Sequence, residues 1–297
     1  MDNPFRGCGT ALITPFDRDQ SLDEGALTMH LRWQIEQGID FLVPCGTTGE
    51  TPALSEAEHF RVIELALEAA SDAPRRVPVL AGAGSNGTAH AVELARKVEA
   101  AGADGALVVA PYYNKPTQEG LFQHFSAVAS AVKIPVVLYN VPGRTSSNIE
   151  ATTALRLAEA HANIVAVKEA SGNLAQISHI IAGARAGFDV LSGDDALTFA
   201  ILALGGQGLV SVASNAVPAA MVQLVAAART GDRKAARELH YRYLPFMEVI
   251  FCETSPGPIK FVLTHMGRCR EMYRLPMIPV QAASRTKIER VLQALGL

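Results

Sequence analysis

The chain has 297 residues, 49% of them hydrophobic, and a formal net charge of -3 with both signs mixed along its length. That length can bury a large core, and the charge argues against nucleic acid as the main partner. No apolar run reaches the ~18 residues of a membrane span, and Met1 to Thr10 lacks the apolar centre of a secretory leader.

Cys8, Cys45, Cys252 and Cys269 form no C-x-x-C pair and read as reduced, buried thiols of a cytosolic protein. The histidines are scattered, with no H-E-x-x-H spacing, so no metal site is expected.

In chain order, short apolar runs alternate with amphipathic segments. The predicted strands are Gly9 to Thr14, Phe41 to Pro44, Val77 to Ala81, Ala106 to Ala110, Pro135 to Tyr139, Ile164 to Lys168, Val190 to Ser192 and Gly208 to Ser211. Near-continuous apolarity suits strands covered on both faces, as in a parallel sheet. Helical stripes lie between them, such as Phe60, Ile63, Leu67 and Leu174, Ile177, Ile181. Ser21 with Glu24, and Ser55 with Glu58, have capping-box spacing and predict helix starts. Eight β–α units in a row predict an α/β fold closed as a (β/α)8 TIM barrel; an open doubly wound sheet is the alternative. After a last barrel helix at Val217 to Thr230, three further helices are expected at Asp232 to Phe251, Pro258 to Met266 and Val280 to Leu295. The predicted division is a catalytic barrel over 1–230 and a C-terminal helical extension over 231–297, packed on it.

In such a barrel, chemistry lies beyond the C-terminal ends of the strands. Gly46-Thr47-Thr48-Gly49-Glu50 follows the second strand and offers backbone N–H groups and two hydroxyls to a carboxylate; an ordinary tight turn is its plainer reading. Gly82 to Gly87 matches G-x-G-x-x-G, but the next strand ends in Val108-Val109-Ala110 without the acid a dinucleotide site needs, so that site is rejected. Pro111-Tyr112-Tyr113-Asn114-Lys115-Pro116 places two adjacent aromatics in a polar loop, which suits a subunit interface. Tyr139 ends the fifth strand, and Arg144 lies just past it, able to clamp a carboxylate; a core-edge tyrosine and a solvated arginine are the plainer readings. Lys168 ends the sixth strand. Most lysines in such a place are solvated, but burial disfavours an ammonium, and a neutral amine attacks a ketone to form a Schiff base.

Together these residues resemble the pyruvate-dependent Schiff-base lyases, the family that contains dihydrodipicolinate synthase and N-acetylneuraminate lyase. The resemblance runs from Gly9-Thr10-Ala11-Leu12-Ile13-Thr14-Pro15-Phe16 to Arg274-Leu275-Pro276-Met277. Its specific matches are Gly46 to Glu50, Tyr139-Asn140-Val141-Pro142 with Arg144, Lys168-Glu169-Ala170-Ser171-Gly172 and Ser192-Gly193-Asp194-Asp195. Thr47-Thr48, Arg144 and the Tyr112-Tyr113 pair favour the dihydrodipicolinate synthase branch, since the sialic-acid lyases usually carry Ser-Thr and an apolar residue at the first two places. The resemblance implies that Lys168 forms an imine with pyruvate and that Tyr139, Thr47 and a neighbouring subunit's Tyr113 relay protons. It gives Thr48 the pyruvate carboxylate, Gly193 and Val210 the imine pocket, and Arg144 the carboxylate of L-aspartate 4-semialdehyde. Val210 replaces a common isoleucine. The implied reaction condenses the two substrates to 4-hydroxy-tetrahydrodipicolinate, in the diaminopimelate route to lysine, with no metal or organic cofactor.

A homo-oligomer, a dimer of dimers, is implied as well, with no nucleic-acid or membrane partner and a cytoplasmic location. So is a regulatory cleft for L-lysine lined by Thr51, Pro52, His59, Asn86 and Tyr112. Glu56 and His90 depart from the lysine-sensitive pattern, since a histidine is frequent at the first position and an acid at the second. Two other functions stay open on sequence alone: a class I pyruvate aldolase cleaving a sugar acid or 4-hydroxy-2-oxo acid, and a non-catalytic ligand-sensing barrel.

Overall fold

The structure is a computed structural model that describes residues 3–297; the first two residues of the Met1 to Thr10 stretch lie outside it. Eight parallel strands form the barrel: β1 Gly7–Ala11, β2 Phe41–Val43, β3 Leu80–Gly82, β4 Gly105–Val109, β5 Val136–Asn140, β6 Ile164–Glu169, β7 Asp189–Ser192 and β8 Gly208–Ser211. Each predicted strand is present, and the shifts fall at the ends. β1 runs Gly7–Ala11 rather than Gly9 to Thr14, because its ladder to β8 starts at Gly7, opposite Gly208. β3 keeps only Leu80–Gly82, with Val79 bridged singly to Leu42.

The ladder order is β2-β1-β8-β7-β6-β5-β4-β3. The Leu42–Val79 bridge joins its two ends, helped by Leu42 N–H to the Pro78 carbonyl and Gly82 N–H to the Pro44 carbonyl. The barrel is therefore closed, and no strand is left with an open edge.

The helices are α1 Glu24–Glu36, α2 Glu56–Ser71, α3 Thr88–Ala100, α4 Gln118–Ala131, the short α5 Pro142–Thr145, α6 Ala151–Ala160, α7 Leu174–Gly183, α8 Thr198–Ala203, α9 Pro218–Thr230, α10 Arg233–Val249, α11 Gly257–His265 and α12 Ala282–Leu295. Ser55 and Glu58 make the predicted capping box at α2: each accepts the other's backbone N–H. Ser21 makes none. Asp23 caps α1 by accepting from Ala26 N–H, and the Ser21 hydroxyl turns to Asp19. The carboxylate nearer the helix takes the cap, and Ala26 at the third helical position has no side chain to reciprocate.

Phe246, Met247, Ile259, Val262, Ile288 and Leu292 of α10, α11 and α12, with Ile250 just after α10, join the same apolar core as the barrel. Among the described residues, no helix is long and apolar enough to cross a membrane. The four cysteines carry free thiols, but only Cys8 and Cys45 are buried; Cys252 is exposed and Cys269 half-buried, contrary to expectation. Cys252 falls just beyond α10, where the apolar stripe that would have covered it has ended.

Candidate active site

β5 and β6 are hydrogen-bonded neighbours, and their register sets Tyr139 beside Lys168 and Asn140 beside Glu169. Side chains alternate along a strand, so the first pair shares one face and the second pair the other. Lys168 is buried at 6% exposure, and its Nζ stands 4.0 Å from the centre of the Tyr139 ring. Among the described residues this nitrogen meets no hydrogen-bond acceptor and no carboxylate. The other buried lysine, Lys260, is instead saturated by Glu50 and the Thr14 carbonyl. Gly193 follows β7, and a Cβ placed there would come within 3.1 Å of Cγ and Cε of Lys168 and 2.8 Å of the Ala170 Cβ. Only glycine leaves the lysine stem its path.

Behind this pair lies a buried polar network that sequence reasoning missed. The Glu169 carboxylate accepts from Asn140 Nδ2, Gln176 Nε2 and Ser171 N–H. Asn148 bridges Asn140 and Gln176, and Asn140 Oδ1 accepts from Ile149 N–H. Four donor contacts hold a carboxylate that has no cation beside it, and the network locks the ends of β5 and β6 against α7. Asp195 is a second such acid. Burial pushes its pKa up to about 6, while hydrogen bonds from the Ser211 hydroxyl and from the Ala213 and Val212 N–H groups pull it down. These bonds fix the turn directly after Val210, which pairs with Gly9 across β8 and β1. The visible signal for both acids was a charge placed inside or beside an apolar strand end.

A cavity of about 450 Å³ opens beside this corner. Its lining includes Thr47, Tyr139, Val141 and Arg144, together with Thr51, Pro52, Glu56, His59, His90 and Tyr112. Lys168, Thr48, Gly193, Val210 and Asn86 lie outside that lining. Arg144 is exposed on α5 and has no acidic partner among the described residues, so its guanidinium faces the cavity as a free cation. Thr48 is buried and Thr47 half-buried in a 3-10 turn at Thr47–Gly49.

Tyr113 is not brought to this corner by its own chain. It is 88% exposed, with a left-handed backbone at φ +73°, and Tyr112 is 41% exposed. Its loop is nevertheless fixed: Tyr113 N–H donates to the Thr145 carbonyl, the Ser147 hydroxyl to the Pro111 carbonyl, and Asn114 Nδ2 to the Asn86 carbonyl. The fixed loop thus presents the Tyr113 ring to solvent and half-exposes the Tyr112 ring.

His59 Nε2 lies 2.9 Å from the Gly82 carbonyl, which makes that nitrogen the protonated one. Burial lowers the His59 pKa, so the ring is neutral near pH 7. Among the described residues, no group of three or more His, Cys, Asp or Glu side chains is set to hold a metal ion.

The signature of the Dihydrodipicolinate synthetase family matches residues 4–295. The chain belongs to this family. It is 55% identical to the 4-hydroxy-tetrahydrodipicolinate synthase of Koribacter versatilis (strain Ellin345), over 99% of this chain and 97% of that one. Its fold matches the crystal structure of dihydrodipicolinate synthase from Aquifex aeolicus with a TM-score of 0.95 at 43% identity, over 99% of each chain. It also matches, at a TM-score of 0.96 and 40% identity, a structure described as the first monomeric dihydrodipicolinate synthase variant, over 99% of this chain and 97% of that one.

Proposed function

We propose that this member of the family is a 4-hydroxy-tetrahydrodipicolinate synthase, a lyase that joins pyruvate to L-aspartate 4-semialdehyde through an imine on Lys168. The observation that carries this reading is the buried Lys168 amine, without an acceptor among the described residues, against the ring of register-paired Tyr139. The amine attacks the pyruvate ketone, and the carbinolamine loses water to give the imine. Loss of a methyl proton turns the imine into an enamine, whose carbon attacks the aldehyde. The amine of the second substrate then displaces Lys168 and closes the ring. Tyr139 donates and accepts the protons, with Thr47 and a neighbouring subunit's Tyr113 completing the relay. Thr48 holds the pyruvate carboxylate, while Gly193 and Val210 shape the imine pocket. In this reading residues 1–230 are the catalytic barrel and 231–297 an extension packed on it. The cytoplasmic location belongs to the same proposal and suits four free thiols.

Arg144 supports L-aspartate 4-semialdehyde as the second substrate, because it lines the cavity with no acidic partner among the described residues. The native protein is expected to turn over pyruvate with L-aspartate 4-semialdehyde and not to cleave sugar acids or 4-hydroxy-2-oxo acids. Arg144→Ala should weaken use of the semialdehyde roughly ten- to hundred-fold, the worth of one charged hydrogen bond, and leave imine formation with pyruvate intact. Steady-state kinetics with both substrates varied checks this. Normal use of the semialdehyde by the variant would remove the main support for that substrate.

The proposed regulatory cleft of Thr51, Pro52, His59, Asn86 and Tyr112 would grip L-lysine poorly. His90 offers no fixed negative charge to the ligand's ammonium. Glu56, the nearby acid, is engaged by Lys97 of this same chain at 2.5 Å, and Lys97 also meets Glu93 at 2.8 Å. L-lysine inhibition is therefore expected to be weak, and His90→Glu should strengthen it. Inhibition curves for the two proteins at neutral pH check this; tight inhibition of the native enzyme, unchanged by the substitution, would contradict it.

A further inference from the structure

Lys260 sits in the middle of α11, in a run from Gly257 to Leu263 that is buried throughout. Its Nζ donates to Glu50 Oε1 at 2.6 Å and to the Thr14 carbonyl at 3.0 Å, and the side chains of Lys260 and Glu50 are 0% and 1% exposed. The rings of Phe16 and Tyr273 stand 4.5 and 5.1 Å from the nitrogen. Burial pulls the Lys260 ammonium down, and the Glu50 carboxylate pushes it back up. The cost of drying two ions can exceed their attraction, and apolar residues of similar volume often serve stability as well or better. The pair therefore calls for a role beyond stability, and its position supplies one.

Glu50 closes the Gly46 to Glu50 loop. Its backbone is left-handed at φ +53°, a region that residues with a Cβ occupy at a cost. The loop is tight: Gly49 N–H donates to the Gly46 carbonyl and Glu50 N–H to the Thr47 carbonyl. Thr14, beyond the end of β1, touches both partners, since its carbonyl accepts from Lys260 and its hydroxyl donates to the Gly49 carbonyl at 2.7 Å. Arg274, beyond α11, adds a second tie: its Nη1 donates to the Ala53 carbonyl at 2.9 Å, and its N–H approaches Glu50 Oε2 at 3.4 Å. The helical extension thus ties this loop and the chain after it by a charge pair at Glu50 and by an arginine at Ala53 and Glu50.

We infer that Lys260, acting through Glu50 and Thr14, is a positioning residue for Thr47 and Thr48, so that the C-terminal helices set the grip on the pyruvate carboxylate. This rests on the role proposed above for Thr48. A carboxylate held by backbone and hydroxyl donors is sensitive to small shifts of those donors. Lys168 stands on β6, three strands round the barrel from β1, and does not depend on the pair. Loss of the pair should weaken pyruvate binding while leaving intact the extent of imine formation on Lys168 at saturating pyruvate.

The test is the pyruvate concentration that half-saturates a borohydride-trapped adduct, followed by intact mass, with melting temperature measured alongside. Glu50→Asp keeps the charge but withdraws it by one methylene; Lys260→Met leaves Glu50 buried and alone; Glu50→Gln with Lys260→Met removes both charges. All three should raise half-saturation roughly ten-fold or more, with near-native adduct at saturating pyruvate. The double variant should recover most of the melting temperature lost by Lys260→Met without recovering pyruvate affinity. Should Lys260→Met fail to fold, Glu50→Asp and the double variant decide. Unchanged half-saturation in those two, or affinity that returns together with melting temperature, would overturn the inference. Absence of any adduct in the native protein would instead overturn the proposed function, and this inference with it.

Discussion

Lys168→Ala is expected to abolish turnover, by roughly a thousand-fold or more, with the fold intact. Removing the nucleophile of a covalent mechanism leaves only the binding and electrostatic contributions of the remaining site. The stem of Lys168 passes Gly193 and its amine lies against Tyr139, so truncation opens space at the barrel mouth rather than in the main core. Thermal melting near the native value with no measurable condensation would show that chemistry, not folding, was lost. Turnover within ten-fold of native would exclude Lys168 as the imine-forming residue.

Two inactive variants, Tyr113→Phe and Lys168→Ala, are expected to regain activity when mixed. Tyr113 is 88% exposed on a loop that hydrogen bonds hold in place, and a neighbour's site is where its hydroxyl would complete the relay. Loss of a proton-relay hydroxyl should cost about 10²- to 10⁴-fold. In a hybrid dimer one of the two sites has native residues at both positions, so up to about a quarter of native activity should return once subunits exchange. Sedimentation of the native protein should show at least a dimer. A fully active native monomer, or no recovery despite demonstrated subunit exchange, would contradict shared sites.

The barrel was legible because its strands are buried on both faces, which leaves runs such as Val136-Val137-Leu138 and Ile164-Val165-Ala166-Val167 unbroken by polar residues. That same pattern singled out Tyr139 and Lys168, polar groups that end those runs. Strand ends were less legible: the Gly9 to Thr14 run carries no charge and no turn signal to mark an end, and only the pairing with β8 decides that the strand begins at Gly7. Ser21 and Ser55 have equal spacing to a glutamate, yet only Ser55 caps a helix, because Asp23 competes for the end of α1. The parts of the site that long-range contact creates were invisible. Glu50 was read as the end of a loop and Lys260 as part of an ordinary helix, although a lone lysine within Pro258-Ile259-Lys260-Phe261-Val262-Leu263 is an anomaly that a hydropathy scan exposes. Nothing in local spacing says that residues 210 positions apart form an ion pair. Glu169 and Asp195 look in the sequence like mere neighbours of Lys168 and Gly193; their hydrogen bonds depend on Gln176, Asn140, Ser211 and the backbone beyond β8.

The most direct measurement is peptide mapping by mass spectrometry after incubation of the native protein with pyruvate and borohydride. One reduced pyruvyl group per chain is expected, on Lys168, even though Lys260 is also a buried lysine. The reason is that Lys260 directs its donors to Glu50 and Thr14, whereas the Lys168 amine has no acceptor among the described residues and faces the ring of Tyr139. An adduct on Lys260 or any other lysine, or none on Lys168 at saturating pyruvate, would contradict the mechanism.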